Sequence, residues 1–351
     1  MTPLELLRAY GPAADLSTGV APFASTLGDT LGARLAHNPF LMAPMAGVSD
    51  GAYRLMARAG GAALAYTEMV SVAGIHYGGE KTWDLVYPIE GEPDIAVQLF
   101  GSRPEQFREA AAAVQQRLKE RLVLIDVNMA CPVPKVTRKG EGSALLDDPK
   151  RATDIVRACL AETTVPVTCK IRRGRRAGEE VAPEFARAME AAGVSALTVH
   201  GRTASQLYRG QADWDVVGRV VQAVRVPVIG SGDVLSAERA VRMLRETGAT
   251  AVMVARGSYG NPWLFGEARD ILARREHHVP TLAERLSALE LQLRLLDATG
   301  AHMARGRSIA GWYLKGLPHA TSWRGRFMGC TSIEEFVELC QELREVAHEV
   351  G

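Results

Sequence analysis

Eight short apolar runs, alternating with longer segments that carry helix signals, constrain this chain more than any other feature. The runs are FLMAP (40–44), ALAYTE (63–68), DIAVQLF (94–100), LVLIDVN (122–128), PVTCKIR (166–172), SALTVHG (195–201), VPVIG (226–230) and TAVMVA (250–255). Short runs without polar alternation suit parallel strands buried on both faces. Helical patterns fall between most of them, at 104–120, 148–162, 183–192, 213–223 and 236–247, with a less regular link between the second and third. Eight such units in sequence fit a (β/α)8 barrel, whose usual length is ~250 residues. A doubly wound sheet is the alternative, but eight consecutive units favour closure. The expected organisation is an N-terminal extension over 1–36, the barrel over 37–275 and a small α-helical domain over 276–351.

Nearly every run ends in a chemically useful group. In chain order these are Pro44 to Gly47, then Glu68, Gln98, Asn128, Lys170, His200 with Arg202, Ser231 to Asp233, and Arg256 with Gly257. Each taken singly has a dull explanation, such as a satisfied core histidine or a half-buried ion pair. A barrel brings all of its strand ends to one face, and that convergence is what makes them a site.

The fourth unit carries the reactive candidate. After Asn128 the chain breaks at Cys131 and Pro132 into a basic loop with Lys135, Arg138 and Lys139, attractive to an anion. Most free cysteines behave as small buried hydrophobes, so position alone does not make this one catalytic. The seventh and eighth strand ends, GSGDV (230–234) and ARGSYGNPW (255–263), combine small residues with Arg256, which can pair bidentately with an anion. Barrels commonly bind phosphate there. With Lys170 and Gln98 across the mouth, the grip suits flavin mononucleotide.

The string NMACPVPKVTRKGEGSALL, from Asn128 onward, resembles the signature of the tRNA-dihydrouridine synthases of the bacterial B type. The resemblance extends over about residues 40–330 through APMAGVSD, VQLFGS, CKIR, VHGRT, GSGD, ARG with NPW, and WYLKGLP. It implies an FMN-dependent enzyme reducing a D-loop uridine of tRNA to 5,6-dihydrouridine with NADPH or NADH. Cys131 would be the proton donor. Pro44, Met45, Ala46, Gln98, Asn128, Lys170, His200, Ser231, Gly232, Asp233, Ala255 and Arg256 would hold FMN. Two positions depart from the pattern: Ala130 stands where glycine is usual, and Ser231 where asparagine is.

Beyond residue 275 the alternation gives way to helical patterns. Within 298–332 lie Arg305, Arg307, Lys315, Arg324 and Arg326, no acidic residue, and Trp312, Tyr313, Trp323 and Phe327. Cations interleaved with aromatics suit an RNA surface. Together with the resemblance they assign RNA contacts to Lys135, Arg138, Lys139, Arg202, Arg305, Arg307 and Lys315. The outer arginines of KIRRGRR (170–176) are a second candidate patch.

A net charge of +1 excludes a general basic coat, so RNA contacts must be local. No apolar run approaches the ~20 residues of a membrane span. Five scattered cysteines, with no CxxC pair or metal-ligand spacing, predict a reducing, cytoplasmic setting and no metal. The expected state is a monomer with tRNA as partner. Two rivals are an FMN barrel acting on a free pyrimidine, of the dihydroorotate or dihydropyrimidine type, and a non-catalytic RNA-binding barrel.

Overall fold

A computed structural model describes residues 1–24, 28 and 30–350, with side chains to residue 346. Residues 25–27 and 29 of the expected extension, and 351 of the expected helical domain, lie outside that description. The strands are β1 (Phe40–Met42), β2 (Val70–Ser71), β3 (Ile95–Phe100), β4 (Leu122–Met129), β5 (Val167–Arg172), β6 (Ala196–His200), β7 (Val228–Ser231) and β8 (Ala251–Val254). All pair in parallel, in the order β1-β8-β7-β6-β5-β4-β3-β2.

One expectation shifts. The run at 63–68 forms no strand of its own, and β2 falls just beyond it. That run still closes the sheet through single bridges, Met42 to Ala65 on one side and Tyr66 to Ala96 on the other. The Ala63 and Thr67 amides donate to the Phe40 and Ala96 carbonyls, each at 2.9 Å. Backbone groups there are thus satisfied on both sides, and the result is a TIM barrel.

The two-sided burial follows from the layers. Leu41, Leu64, Tyr66, Leu124, Ile229 and Met253 fill the interior, while Val97, Leu99, Ile125 and Val127 face the helices around Phe107, Val114 and Ile155. The predicted helices appear as Pro104–Leu118, Pro149–Leu160, Ala182–Ala192, Asp215–Ala223 and Ala237–Thr247. Their starts are chemically marked: Pro104 and Pro149 occupy first turns, and the Asp148 and Ser236 side chains accept from the Arg151 and Arg239 amides.

The N-terminal residues do not stand apart. Leu6 and Leu7, on the helix Pro3–Tyr10, share one core with Leu289, Leu293, Tyr313 and Phe336 of the C-terminal helices. Phe23, Leu31 and Leu35 pack against the barrel's interior cluster instead. The C-terminal region consists of the helices Leu282–Ala298, Ala304–Tyr313, Ala320–Phe327 and Ile333–Val350. No described helix is long and apolar enough to cross a membrane.

Candidate active site

At the carboxyl ends of the strands lies a cavity of about 440 Å³, a volume within the usual range for a cofactor site. Every residue expected to hold the cofactor lines it: Pro44, Met45, Ala46, Gln98, Asn128, Lys170, His200, Ser231, Gly232, Asp233, Ala255 and Arg256. Cys131 lines it too, and of the five free cysteines it is the one that is not buried.

Three clamps hold the Cys131 loop. The Asn128 Oδ1 accepts from the amides of Ala130 (3.1 Å) and Cys131 (2.8 Å), so the strand end caps its own loop. The Ser143 amide donates to the Cys131 carbonyl at 3.0 Å. The Arg172 Nε donates to the Ala130 carbonyl at 2.8 Å, and its Nη1 to the Thr203 carbonyl at 2.9 Å. Gly142, at φ +60°, lets the following turn lie against the loop, since a Cβ there would meet the Cys131 carbonyl oxygen at 2.8 Å. Ala130 is not among the residues with positive φ. Its methyl therefore replaces the usual glycine without backbone strain.

The electrostatics favour an anion in the cavity and a neutral thiol at its edge. Burial pushes the Cys131 thiol up, against the opposing pull of the Val133 amide, Arg172 and Lys170, so it stays protonated near neutrality. Burial also pushes Lys170 down to about 8, with Arg172 adding to the effect. His200 is held well below its ordinary value by burial and by Lys170, Arg172, Arg202 and Arg256, and is neutral. Two buried donor-capable atoms, His200 Nε2 and Arg202 Nη1, have no hydrogen-bond partner among the described residues. Buried polar atoms are seldom left unpaired, and these belong to residues lining a cavity rich in cations. Gly232, at φ +116°, keeps the space beside them open, because a Cβ would come within 3.0 Å of the His200 ring.

The residues thus fit a phosphate-bearing flavin. Above about pH 8 the Lys170 ammonium is lost, so the attraction for the anion is present below that pH and fades above it. FMN affinity is expected to fall as the pH rises through about 8, and Lys170→Met to bind weakly without that inflection. Titration of the flavin-free protein with FMN, followed by flavin fluorescence, measures both. An unchanged inflection in the variant would assign the titration elsewhere.

Several cations occupy roles other than those expected. Arg202, assigned to RNA, is 2% exposed; it donates to the Arg209 and Gly210 carbonyls and pairs with Asp233 at 2.7 Å. It belongs to the interior of the site rather than to its outer surface. Arg305 reaches Asp50 (3.1 Å) and Glu68 (3.4 Å), so its charge is spent joining the helical region to the barrel mouth. Arg307 donates to the Cys330 carbonyl at 3.0 Å. Tyr313, Trp323 and Phe327 are core, not a stacking surface. In the 170–176 stretch, Arg173 pairs with Glu180 and Asp213, and Arg176 with Asp147 and Glu179. Lys135, Arg138, Lys139 and Lys315 are exposed. None of these four forms an ion pair among the described residues.

Other residues at the site were not singled out in the sequence. Tyr208 and Tyr259 line the cavity, Tyr208 lies under the Arg256 guanidinium at 5.0 Å, and Tyr259 stacks on Trp312 at 4.4 Å. Asp126, wholly buried, accepts from Gln98 Nε2 (2.7 Å) and from Thr168 Oγ1 (2.6 Å). The spacing of Asp126 and Asn128 on one strand was the available signal, since side chains two apart share a face.

A closed barrel with a cationic cavity and a protonated thiol at its carboxyl end defines a TIM-barrel enzyme. The family model described as dihydrouridine synthase matches residues 41–349. A probable tRNA-dihydrouridine synthase 1 of Synechocystis is 38% identical over 317 residues, 89% of this chain and 88% of that protein. The tRNA-dihydrouridine synthase B of Xanthomonas axonopodis is 38% identical over 81% of this chain and 86% of its own. That of Pseudomonas syringae is 36% identical over 90% and 93%. The chain belongs to the dihydrouridine synthase family, and it is an oxidoreductase.

Proposed function

We propose that this protein reduces a D-loop uridine of tRNA to 5,6-dihydrouridine, with FMN as resident cofactor and NADPH or NADH as the source of electrons. The observation that carries this is the half-buried Cys131 thiol lining a cationic cavity whose His200 Nε2 and Arg202 Nη1 lack partners among the described residues. Arg256, Ser231 and Gly232 would take the phosphate; Gln98, Asn128, Lys170 and His200 would face the ring system, with Pro44, Met45, Ala46 and Ala255 as its apolar and backbone surround. Bound there, FMN supplies the hydride that adds to C6 of the uracil ring.

The chain's own part is proton and charge management. Hydride addition at C6 leaves an enolate, and C5 must be protonated. Cys131 gives up its proton to C5 as a general acid. Lys170, charged below about pH 8, stabilises negative charge developing nearby. A base stacked inside folded tRNA cannot enter the cavity, so the target uridine must be extruded. The exposed Lys135, Arg138 and Lys139, a few residues beyond Cys131, would hold the flanking phosphates.

Those three cations also favour tRNA over the rival substrate, a free pyrimidine, which would not need them. Enzyme reduced with NADPH under anaerobic conditions is expected to be reoxidised rapidly by unmodified tRNA, and negligibly by uracil, orotate or uridine. Mass spectrometry of the tRNA should show the gain of two hydrogens at a D-loop uridine. Equal or faster reoxidation by a free pyrimidine would reject the assignment.

A further inference from the structure

We propose that Asp126, through a directional relay of two side-chain amides, fixes the backbone of Cys131 and is a positioning residue for the proton transfer. The proposal rests on Cys131 being the acid. Asp126 Oδ2 accepts from Gln98 Nε2 at 2.7 Å, Gln98 Oε1 accepts from Asn128 Nδ2 at 2.8 Å, and Asn128 Oδ1 accepts from the Cys131 and Ala130 amides at 2.8 and 3.1 Å. Thr168 Oγ1 donates to the other Asp126 oxygen at 2.6 Å. Strand register makes the chain possible: Asp126 lies opposite Gln98 on one side and Thr168 on the other.

The direction of the relay follows from what each group can do. An ionised carboxylate only accepts, whereas an amide presents an acceptor at one end and donors at the other. With Asp126 accepting, Gln98 must turn its NH2 toward it and its oxygen toward Asn128. Asn128 must then turn its own NH2 toward Gln98, which leaves its oxygen for the backbone of the thiol loop. Reversing any member would set NH2 against NH2, or NH2 against the Cys131 amide. Burial pushes Asp126 up to about 6, against hydrogen bonds from Gln98 and Thr168 and the charge of Lys170. It therefore remains an acceptor near neutrality. The carboxyl lines no part of the cavity, so it acts through the amides.

The anchor of the relay can be weakened without changing shape. Asp126→Asn keeps its oxygen toward Gln98 while its NH2 donates to the Thr168 hydroxyl. Thr168→Val keeps the carboxylate. Each alone should slow product formation by no more than about threefold, at the low end of what one hydrogen bond contributes. In the Asp126→Asn/Thr168→Val double variant, the valine offers nothing to either end of the new amide, so Gln98 is held by one neutral acceptor whose orientation nothing else fixes. The Asn128 NH2 then loses a fixed partner, its hold on the Cys131 and Ala130 amides slackens and the loop shifts. Misplacing the reacting group by an ångström costs about 100-fold in rate.

The experiment measures single-turnover dihydrouridine formation by flavin-loaded, pre-reduced enzyme, and separately the alkylation of Cys131 by iodoacetamide, read by mass spectrometry. In the double variant, product formation should fall about 100-fold, while Cys131 is alkylated faster than either single variant would suggest. Cys159 and Cys169, both buried, should stay unmodified. A double variant whose rate and alkylation are the product of the two singles overturns the relay. Alkylation of Cys159 or Cys169 would mean the barrel itself had loosened, and also overturns it. Faster alkylation of Cys131 with undiminished product formation would instead refute Cys131 as the acid and leave the relay standing.

Discussion

Cys131→Ala is expected to lower dihydrouridine formation by about 100- to 10,000-fold, the range a positioned general acid contributes. The substitution removes the thiol but none of the three clamps on its loop, which act through the Ala130 and Cys131 backbone and the Arg172 side chain. It also removes none of the cations whose charges the cavity presents. Flavin content and reduction of the flavin by NADPH should therefore match wild type. Cys131→Ser tests the same idea on the acidity scale, since a hydroxyl in the same half-buried place is a far weaker acid than a thiol; it should rescue little. Near wild-type product formation by the alanine variant, measured in single turnover with unmodified tRNA, would transfer the acid role to another group.

Changing Lys135, Arg138 and Lys139 together to alanine is expected to weaken tRNA binding and to flatten its dependence on salt. Each phosphate neutralised contributes roughly 0.7–0.9 to the slope of log affinity against log salt, so three lost contacts should reduce it by about 2–3. Arg305→Ala is the contrasting variant. Its charge is shared with Asp50 and Glu68, so it should change the salt slope little while loosening the junction between helical region and barrel. Filter binding over a salt series decides between them. An unchanged slope in the triple variant would move RNA recognition to Lys315 and the exposed Arg324.

The contrast shows what was legible in the sequence. Parallel strands advertise themselves through continuous apolar runs, and their polar ends converge in any closed barrel, so Gln98, Asn128, Lys170 and His200 could be named from strand positions, whereas the loop residues Tyr208 and Tyr259 could not. A cation's partner could not. Arg202 and Arg305 read as basic residues near a motif, yet one is buried against Asp233, 31 residues on, and the other meets carboxylates at positions 50 and 68. Such pairings depend on how loops and helices fold back, which local pattern does not encode. Tyr313, Trp323 and Phe327 misled for a similar reason: a short helical domain needs large side chains for its core. Asp126 was missed because it sits inside an apolar run, where a lone carboxylate is hard to distinguish from an edge or an interruption. The run at 63–68 was recognisable as strand-like, but its single bridges do not extend into a ladder.

The core shared by Leu6 and Leu7 with Leu289, Leu293 and Phe336 sets an order of events during synthesis. The helix Pro3–Tyr10 leaves the ribosome before the barrel strands, yet much of the surface that covers its apolar side is translated after them. The eight strands and their helices can assemble while the chain is still growing, because each unit packs against the one just made. The N-terminal helix must meanwhile wait, half-covered, for the C-terminal residues. Joining segments so far apart adds little to the entropy cost, which grows only with the logarithm of loop length, but it postpones completion until the C-terminal helices have emerged. A nascent protein stalled before residue 282 would hold a barrel and a greasy helix covered only in part, by Leu55, Met56 and Trp263, a natural target for chaperones.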